Sequence, residues 1–190
     1  MAQKILFLHG FFASGTCIPA LALKEYFSGK ATVLSPDLPL HPQETLDFIQ
    51  RLCNQEQPDI LVGNSNGSFL VQIVASKNNI PALLGNPHFE MTRFLIERIG
   101  SHEYKSPRAN GNQQLVINQT LIDEFAELQQ HQWDNCRVAN HATAEITGDD
   151  RTGGGIGIFV YRGQRRGIQQ LAVTKIDYDK IGRASCRERV

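Results

Sequence analysis

Gly63-Asn64-Ser65-Asn66-Gly67 is the stretch on which the reading of this chain turns. Asp59-Ile60-Leu61-Val62 precedes it, a short apolar run of the kind that forms a buried parallel strand. Ser68 to Lys77 follows it, long enough for a buried helix. A strand entering G-x-S-x-G and a helix leaving it make the arrangement called a nucleophile elbow. In so tight a turn, side chains two positions to either side of the serine collide. Glycine at Gly63 and Gly67 removes those collisions and leaves Ser65 projecting its hydroxyl above the strand ends. The five-residue pattern recurs by chance, so the weight lies on its strand and helix context, and the competing reading is an ordinary βα turn.

The totals bound the rest. At 190 residues the chain is long enough for one domain with a full hydrophobic core. Its formal net charge is zero, which argues against nucleic acid or an anionic membrane surface as a partner. Cys17, Cys53, Cys136 and Cys186 show neither C-x-x-C spacing nor a metal pattern, as expected of thiols in a reducing cytoplasm. Ile5-Leu6-Phe7-Leu8 is too short for the apolar core of a signal peptide, and no stretch approaches the length of a membrane span. The expectation is a cytoplasmic α/β domain.

From the N-terminus, Lys4 to Leu8 reads as a first strand, delivering His9-Gly10-Phe11-Phe12-Ala13-Ser14-Gly15 to the edge where open α/β sheets bind ligands. Ile18 to Phe27 reads as a helix with Leu21, Leu23 and Phe27 inward, and Ala31 to Ser35 as the second strand. After a proline-stiffened loop, Pro42 suits the first turn of a helix on which Leu46, Ile49 and Cys53 share a face. Ile80 to Leu84 is the fourth strand, and Met91 to Ile99 a helix with Phe94, Leu95 and Ile99 apolar. Gly100 to Asn112 is polar and irregular, either a lid or a solvated surface excursion. Thr120-Leu121-Ile122-Asp123 opens a helix with an acidic capping residue and a stripe of Leu121, Ile122, Phe125 and Leu128. Trp133 reads as a packing anchor. Strand and helix alternate throughout, which predicts a mostly parallel sheet flanked by helices and joined by right-handed crossovers.

These segments resemble the YqiA/YcfP family of small α/β-hydrolase-fold esterases. The resemblance rests on Ile5 to Phe11, Ser35-Pro36-Asp37-Leu38-Pro39, Gly63 to Gly67, Asn86-Pro87-His88-Phe89-Glu90-Met91, and Glu124-Phe125 through His131-Gln132-Trp133-Asp134, within residues 1–137. One departure is Ser68, where many relatives carry a further glycine. The resemblance implies an esterase or thioesterase for short acyl groups, with a small-molecule substrate and no cofactor. Ser65 is then the nucleophile, and the backbone N–H groups of Phe11 and Asn66 form the oxyanion hole. Asn66 contributes only that backbone group. His9 precedes the nucleophile, whereas such hydrolases run serine, acid, histidine, so His9 is expected to be structural, bonded to loop backbone.

The family places the acid in a turn after the next strand. Ala142 to Thr147 is a passable strand and Gly148-Asp149-Asp150 follows, so Asp150 is the expected acid and Asp149 the fallback; two solvated turn aspartates are the plain alternative. The catalytic histidine, which the family carries further on in a Gly-x-His-Arg setting, is absent: the last histidine is His141, upstream of both aspartates. Gly153-Gly154-Gly155-Ile156-Gly157 lacks the full phosphate-loop pattern. Ile181 to Val190 resembles the conceptual translation of a sequencing adapter, a scar to be left out of fold reasoning. The expected organisation is a hydrolase-like domain over 1–150, an aberrant or divergent stretch over 151–180, and an adapter-derived tail over 181–190. Two other function classes stand beside the esterase, namely a non-catalytic small-ligand-binding module and a flavodoxin-like nucleotide binder. Oligomeric state is open.

Overall fold

Four short apolar runs line up as parallel strands, and the helices between them cover both faces. The structure is a computed structural model that describes residues 3–132 and the backbone of 144–146 and 157–161. The strands are β1 (Gln3–Leu8), β2 (Ala31–Leu34), β3 (Ile60–Asn64) and β4 (Ala82–Gly85), ordered β2-β1-β3-β4 and all parallel. They are joined by α1 (Ile18–Tyr26), α2 (Pro42–Glu56) and α3 (Asn66–Asn78). Period-two alternation sends the side chains of one strand to opposite faces. Ile5 and Phe7 of β1, with Val62 and Leu83, pack against Ala20 and Leu23 of α1. Leu6 and Leu8, with Leu61 and Leu84, join the larger cluster with Ile49 of α2 and Phe69, Leu70 and Val74 of α3. A sheet buried on both faces explains why its strands read as continuous apolar runs.

Beyond β4 come α4 (Met91–Ile96), β5 (Gly100–Glu103), β6 (Gln114–Ile117) and α5 (Gln119–His131). Leu121, Ile122 and Phe125 of α5 are buried in the larger cluster, and Leu128 packs against it, as the stripe predicts. Pro42 occupies the first turn of α2, Ile49 and Cys53 are buried, and Leu46 packs beside them half-buried.

Four expectations change. Leu21 is 52% exposed, because Ala20 and Leu23, three apart, form the inward edge of α1. Helix α4 ends at Ile96, and Ile99 is exposed in the link to β5. The stretch Gly100 to Asn112 is irregular only from residue 104: Gly100–Glu103 is β5, antiparallel to β6, whose Leu115 and Ile117 turn inward. The cap of α5 is Asn118, whose side chain accepts from the Leu121 N–H, rather than an acid. The sheet is mostly parallel, as expected, with two antiparallel additions: β8 (Gly157–Tyr161) pairs with β4, and β7 (Ala144–Ile146) with β8. The link from β7 to β8, residues 147–156, is shorter than the dozen or so residues a parallel crossover takes.

Candidate active site

The turn from β3 into α3 holds Ser65 at φ 54° and ψ −120°, a backbone conformation that side-chain-bearing residues rarely adopt. Such a residue costs about 1–3 kcal/mol and persists only where its surroundings over-determine it. Here they do. The Ser65 N–H donates to the Gly85 carbonyl at 3.0 Å, and the Ser65 carbonyl accepts from the N–H groups of Ser68 at 2.9 Å and His88 at 3.4 Å. The Ser68 hydroxyl donates to the same Gly85 carbonyl at 2.9 Å, so the serine that departs from the family pattern ties α3 to the end of β4.

Both flanking glycines are required by close approach. A Cβ on Gly63 would stand 2.5 Å from the backbone N and Cα of Ser68, inside the turn. A Cβ on Gly67 would stand 2.0 Å from the carbonyl oxygen of Leu8. The second collision is therefore with β1, a neighbour the local sequence does not reveal.

The β1–α1 loop faces this turn. A Cβ on Gly10 would lie 3.4 Å from Ser65 Cβ and 3.8 Å from Ser65 Oγ, so the loop backbone passes directly beside the hydroxyl. Phe11 holds the loop down: its ring makes edge contacts with Phe12 at 5.1 Å and with Phe94 and Phe125 at 6.0 Å. His9 is buried and fully engaged, with Nδ1 bonded to the Gly10 carbonyl at 2.8 Å and Nε2 accepting the Leu38 N–H at 3.0 Å. Nδ1 therefore carries the proton of a neutral ring. Burial lowers its pKa to about 4. With both nitrogens committed to backbone, His9 has the structural role and no lone pair for a serine proton.

The segment 104–113 joining β5 to β6 is a wall with an exposed tip, residues 109–112, pinned to the rest of the fold at several points. Lys105 N–H donates to the Phe12 carbonyl at 2.7 Å, and the Ser14 N–H to Ser106 Oγ at 2.8 Å. Asp37 accepts the Gly15 N–H on one oxygen at 2.8 Å and the Ala109 N–H on the other at 2.7 Å. Partial burial opposes ionisation of Asp37, but those two N–H groups and the nearby Arg108 outweigh it and lower its pKa. Arg108 stacks 4.4 Å over the Tyr104 ring and donates to the Leu38 carbonyl at 3.0 Å. Beside this wall lies a small open cavity lined by Gly10, Phe11, Leu38, Asn66, Tyr104 and Phe125 among others.

Of the residues singled out beforehand, Ser65, Gly63, Gly67, Asn66 and Phe11 come together around this turn and cavity. Asp149, Asp150 and Trp133 lie outside the described residues, as do Gly153 to Ile156. Sequence reasoning passed over Asp37, Tyr104, Arg108 and the side chain of Asn66. The Ser35-Pro36-Asp37 turn was visible, but its partners are far along the chain.

The model of the uncharacterised protein family UPF0227 matches residues 4–152. The chain belongs to this family. UPF0227, the YqiA/YcfP type, thus extends past Trp133 and through Asp149-Asp150, beyond the segments quoted for the resemblance. No curated protein matches the chain. Among solved structures, the UPF0227 chain is similar to Est1E from Butyrivibrio proteoclasticus, with a TM-score of 0.51 and 17% identity, covering 70% of this chain and 63% of that one. It is also similar to alpha/beta hydrolase domain-containing protein 10 from mouse, with a TM-score of 0.42 and 15% identity, covering 65% and 60%. The chain therefore spans less than two thirds of either structure. The likeness to Est1E shows the fold, that of the α/β hydrolases. Among the described residues no helix is long and apolar enough to cross a membrane.

Proposed function

We propose that this UPF0227 chain derives from a serine hydrolase of short acyl esters or thioesters, with Ser65 as nucleophile. The observation that carries the reading is the strained backbone of Ser65 at φ 54°, held beside the glycine of the first loop. Strain of this kind is maintained where function needs a side chain lifted out of regular structure. In the proposed reaction the Ser65 hydroxyl adds to the ester carbonyl, a base takes its proton, and the leaving group departs to give an acyl-enzyme that water cleaves. The N–H groups of Phe11 and Asn66 stabilise the oxyanion, and Asp150 orients the base. The acyl and alcohol groups are small molecules, and no cofactor enters the scheme.

The base is the missing part. No histidine follows His141 in the chain, and His9 is committed to backbone. An unactivated serine is a poor nucleophile at neutral pH, so hydrolysis by this polypeptide is impaired. The expected result with p-nitrophenyl acetate is no turnover above that of Ser65→Ala; ordinary turnover that Ser65→Ala abolishes would defeat the impairment. A fluorophosphonate probe tests the nucleophile itself, with slow labelling that requires Ser65 as the expected outcome. The second reading, a non-catalytic small-ligand-binding module, is favoured by that same lack of a base. Absence of labelling together with retained ligand binding would establish it instead.

A further inference from the structure

The chain holds two Asn-Gly pairs, Asn66-Gly67 and Asn110-Gly111, and the fold places them in opposite surroundings. An asparagine side chain before glycine is open to attack by the glycine's backbone nitrogen, because no Cβ crowds that nitrogen or restricts its backbone. Closing the resulting five-membered ring turns the asparagine out of helical backbone geometry and needs room for its side chain to swing. Asn66 has neither freedom. It opens α3, it is 6% exposed, and a Cβ on Gly67 would stand 2.0 Å from the Leu8 carbonyl oxygen. Asn110 has both. Asn110, Gly111 and Asn112 are exposed at the tip of the 104–113 wall, and a Cβ on Gly111 would meet nothing within 4 Å. Asn110 Oδ1 accepts the Asn112 N–H at 3.0 Å, which polarises the amide carbon toward attack. An opposing contact is the Gly111 N–H bond to the Arg108 carbonyl at 3.0 Å. Opening one exposed turn bond of this kind slows a reaction by about tenfold at most.

We propose that Asn110 is a self-modification site, whose side-chain amide is lost spontaneously to give a product that loosens the wall. The inference is independent of the reading of Ser65. The Gly111 nitrogen bonds to Asn110 Cγ and gives up its proton, the Cγ–Nδ2 bond breaks, and ammonia leaves with that proton, forming a succinimide. Water, the sole co-reactant, then reopens the ring. Breaking the new N–Cγ bond leaves aspartate at position 110. Breaking the original peptide C–N bond leaves isoaspartate, in which the main chain runs through the former side chain and is one methylene longer. Either product places a carboxylate next to Ala109, whose N–H is held by Asp37 at 2.7 Å. The new charge opposes that of Asp37, and the extra methylene shifts the turn that Gly111 and Arg108 close.

The test incubates the full wild-type chain at mildly alkaline pH, folded and in urea, and follows its tryptic peptides by mass spectrometry, with fragmentation to locate each site. In the folded chain Asn110 is expected to gain the mass of an amide-to-acid exchange and to split into aspartate and isoaspartate forms, while Asn66 stays intact. In urea the two pairs are expected to convert at similar rates. An Asn110 that keeps its amide after the unfolded chain has lost it, or a folded Asn66 that reacts as fast as Asn110, overturns the proposal. Amide hydrogen exchange reads the consequence. Ala109 is expected to exchange faster in the incubated chain than in fresh chain or in incubated Asn110→Gln, where the corresponding ring is six-membered and closes slowly. Equal exchange in all three would overturn the loosening of the wall.

Discussion

Two walls of one cavity are built on opposite terms. The β3–α3 turn is held by backbone: glycines at Gly63 and Gly67 admit close approach, and the N–H and C=O of Ser65 are both bonded to main chain. The 104–113 wall is held largely by side chains reaching across the fold, Ser106 to Ser14, Asp37 to Ala109 and Arg108 to Leu38. The first kind of constraint tolerates almost no substitution but leaves a short, readable pattern. The second tolerates partial loss and leaves no local pattern at all. A tight turn next to a reacting atom calls for the first; a wall that shapes a pocket can be retuned through the second.

Breaking the turn is expected to give the largest effect. Gly67→Ala should destabilise by more than about 4 kcal/mol in denaturant unfolding, although alanine favours a helix interior by about 1 kcal/mol. The added Cβ would meet Leu8 backbone at 2.0 Å, which flexible side chains cannot relieve. A near-neutral result would mean that α3 and β1 are not packed as described.

Next comes pH. His9 sits at about 4 when folded, against 6.5 ordinarily, so between those values the unfolded chain binds a proton that the folded chain refuses. Stability attributable to His9 is therefore fully present above 6.5 and falls as pH drops through the window, by roughly 3 kcal/mol at its lower end. Urea unfolding at a series of pH values should show this slope in the wild-type chain and a shallower one in His9→Asn. Equal slopes would place His9 outside the buried backbone bonds that link β1 to the β2–α2 loop.

The wall is expected to give less. Asp37→Asn should cost about 2 kcal/mol, since an amide cannot accept both N–H bonds as a charged carboxylate does. Because the folded pKa of Asp37 is lowered, its contribution is present above the ordinary value of 3.8 and lost as pH falls through the folded one. Amide hydrogen exchange at Gly15 and Ala109 should accelerate in the variant while the β1 and β3 amides stay protected. Acceleration everywhere would make the wall part of the global fold and erase the contrast.

The smallest effect has the opposite sign. Ser65→Gly relieves the positive φ and should raise stability by about 1 kcal/mol in the same unfolding assay. A loss of stability would mean that the serine conformation is not strained.

The sequence alone determined the parallel half of the sheet and the turn around Ser65, because strand and helix periods, glycine sterics and strand-turn-helix order are local properties. It determined α2 and α5 by the same spacing rules, missing that Asn118 caps α5, and elsewhere it missed that Leu21 of α1 and Ile99 beyond α4 face out. Hairpin β5–β6 escaped because one arm, Ser101-His102-Glu103, is polar, and the other is only the short run Leu115-Val116-Ile117. Tertiary structure decided the rest: that Gly67 is required by β1, that His9 is locked by Leu38, that Tyr104 lines the cavity, and that Asp37 and Arg108 pin the wall beside it. The physical reason is distance along the chain. A hydrogen bond between residues dozens of positions apart leaves no period and no spacing in the sequence, and it exists only once burial has brought its two ends together.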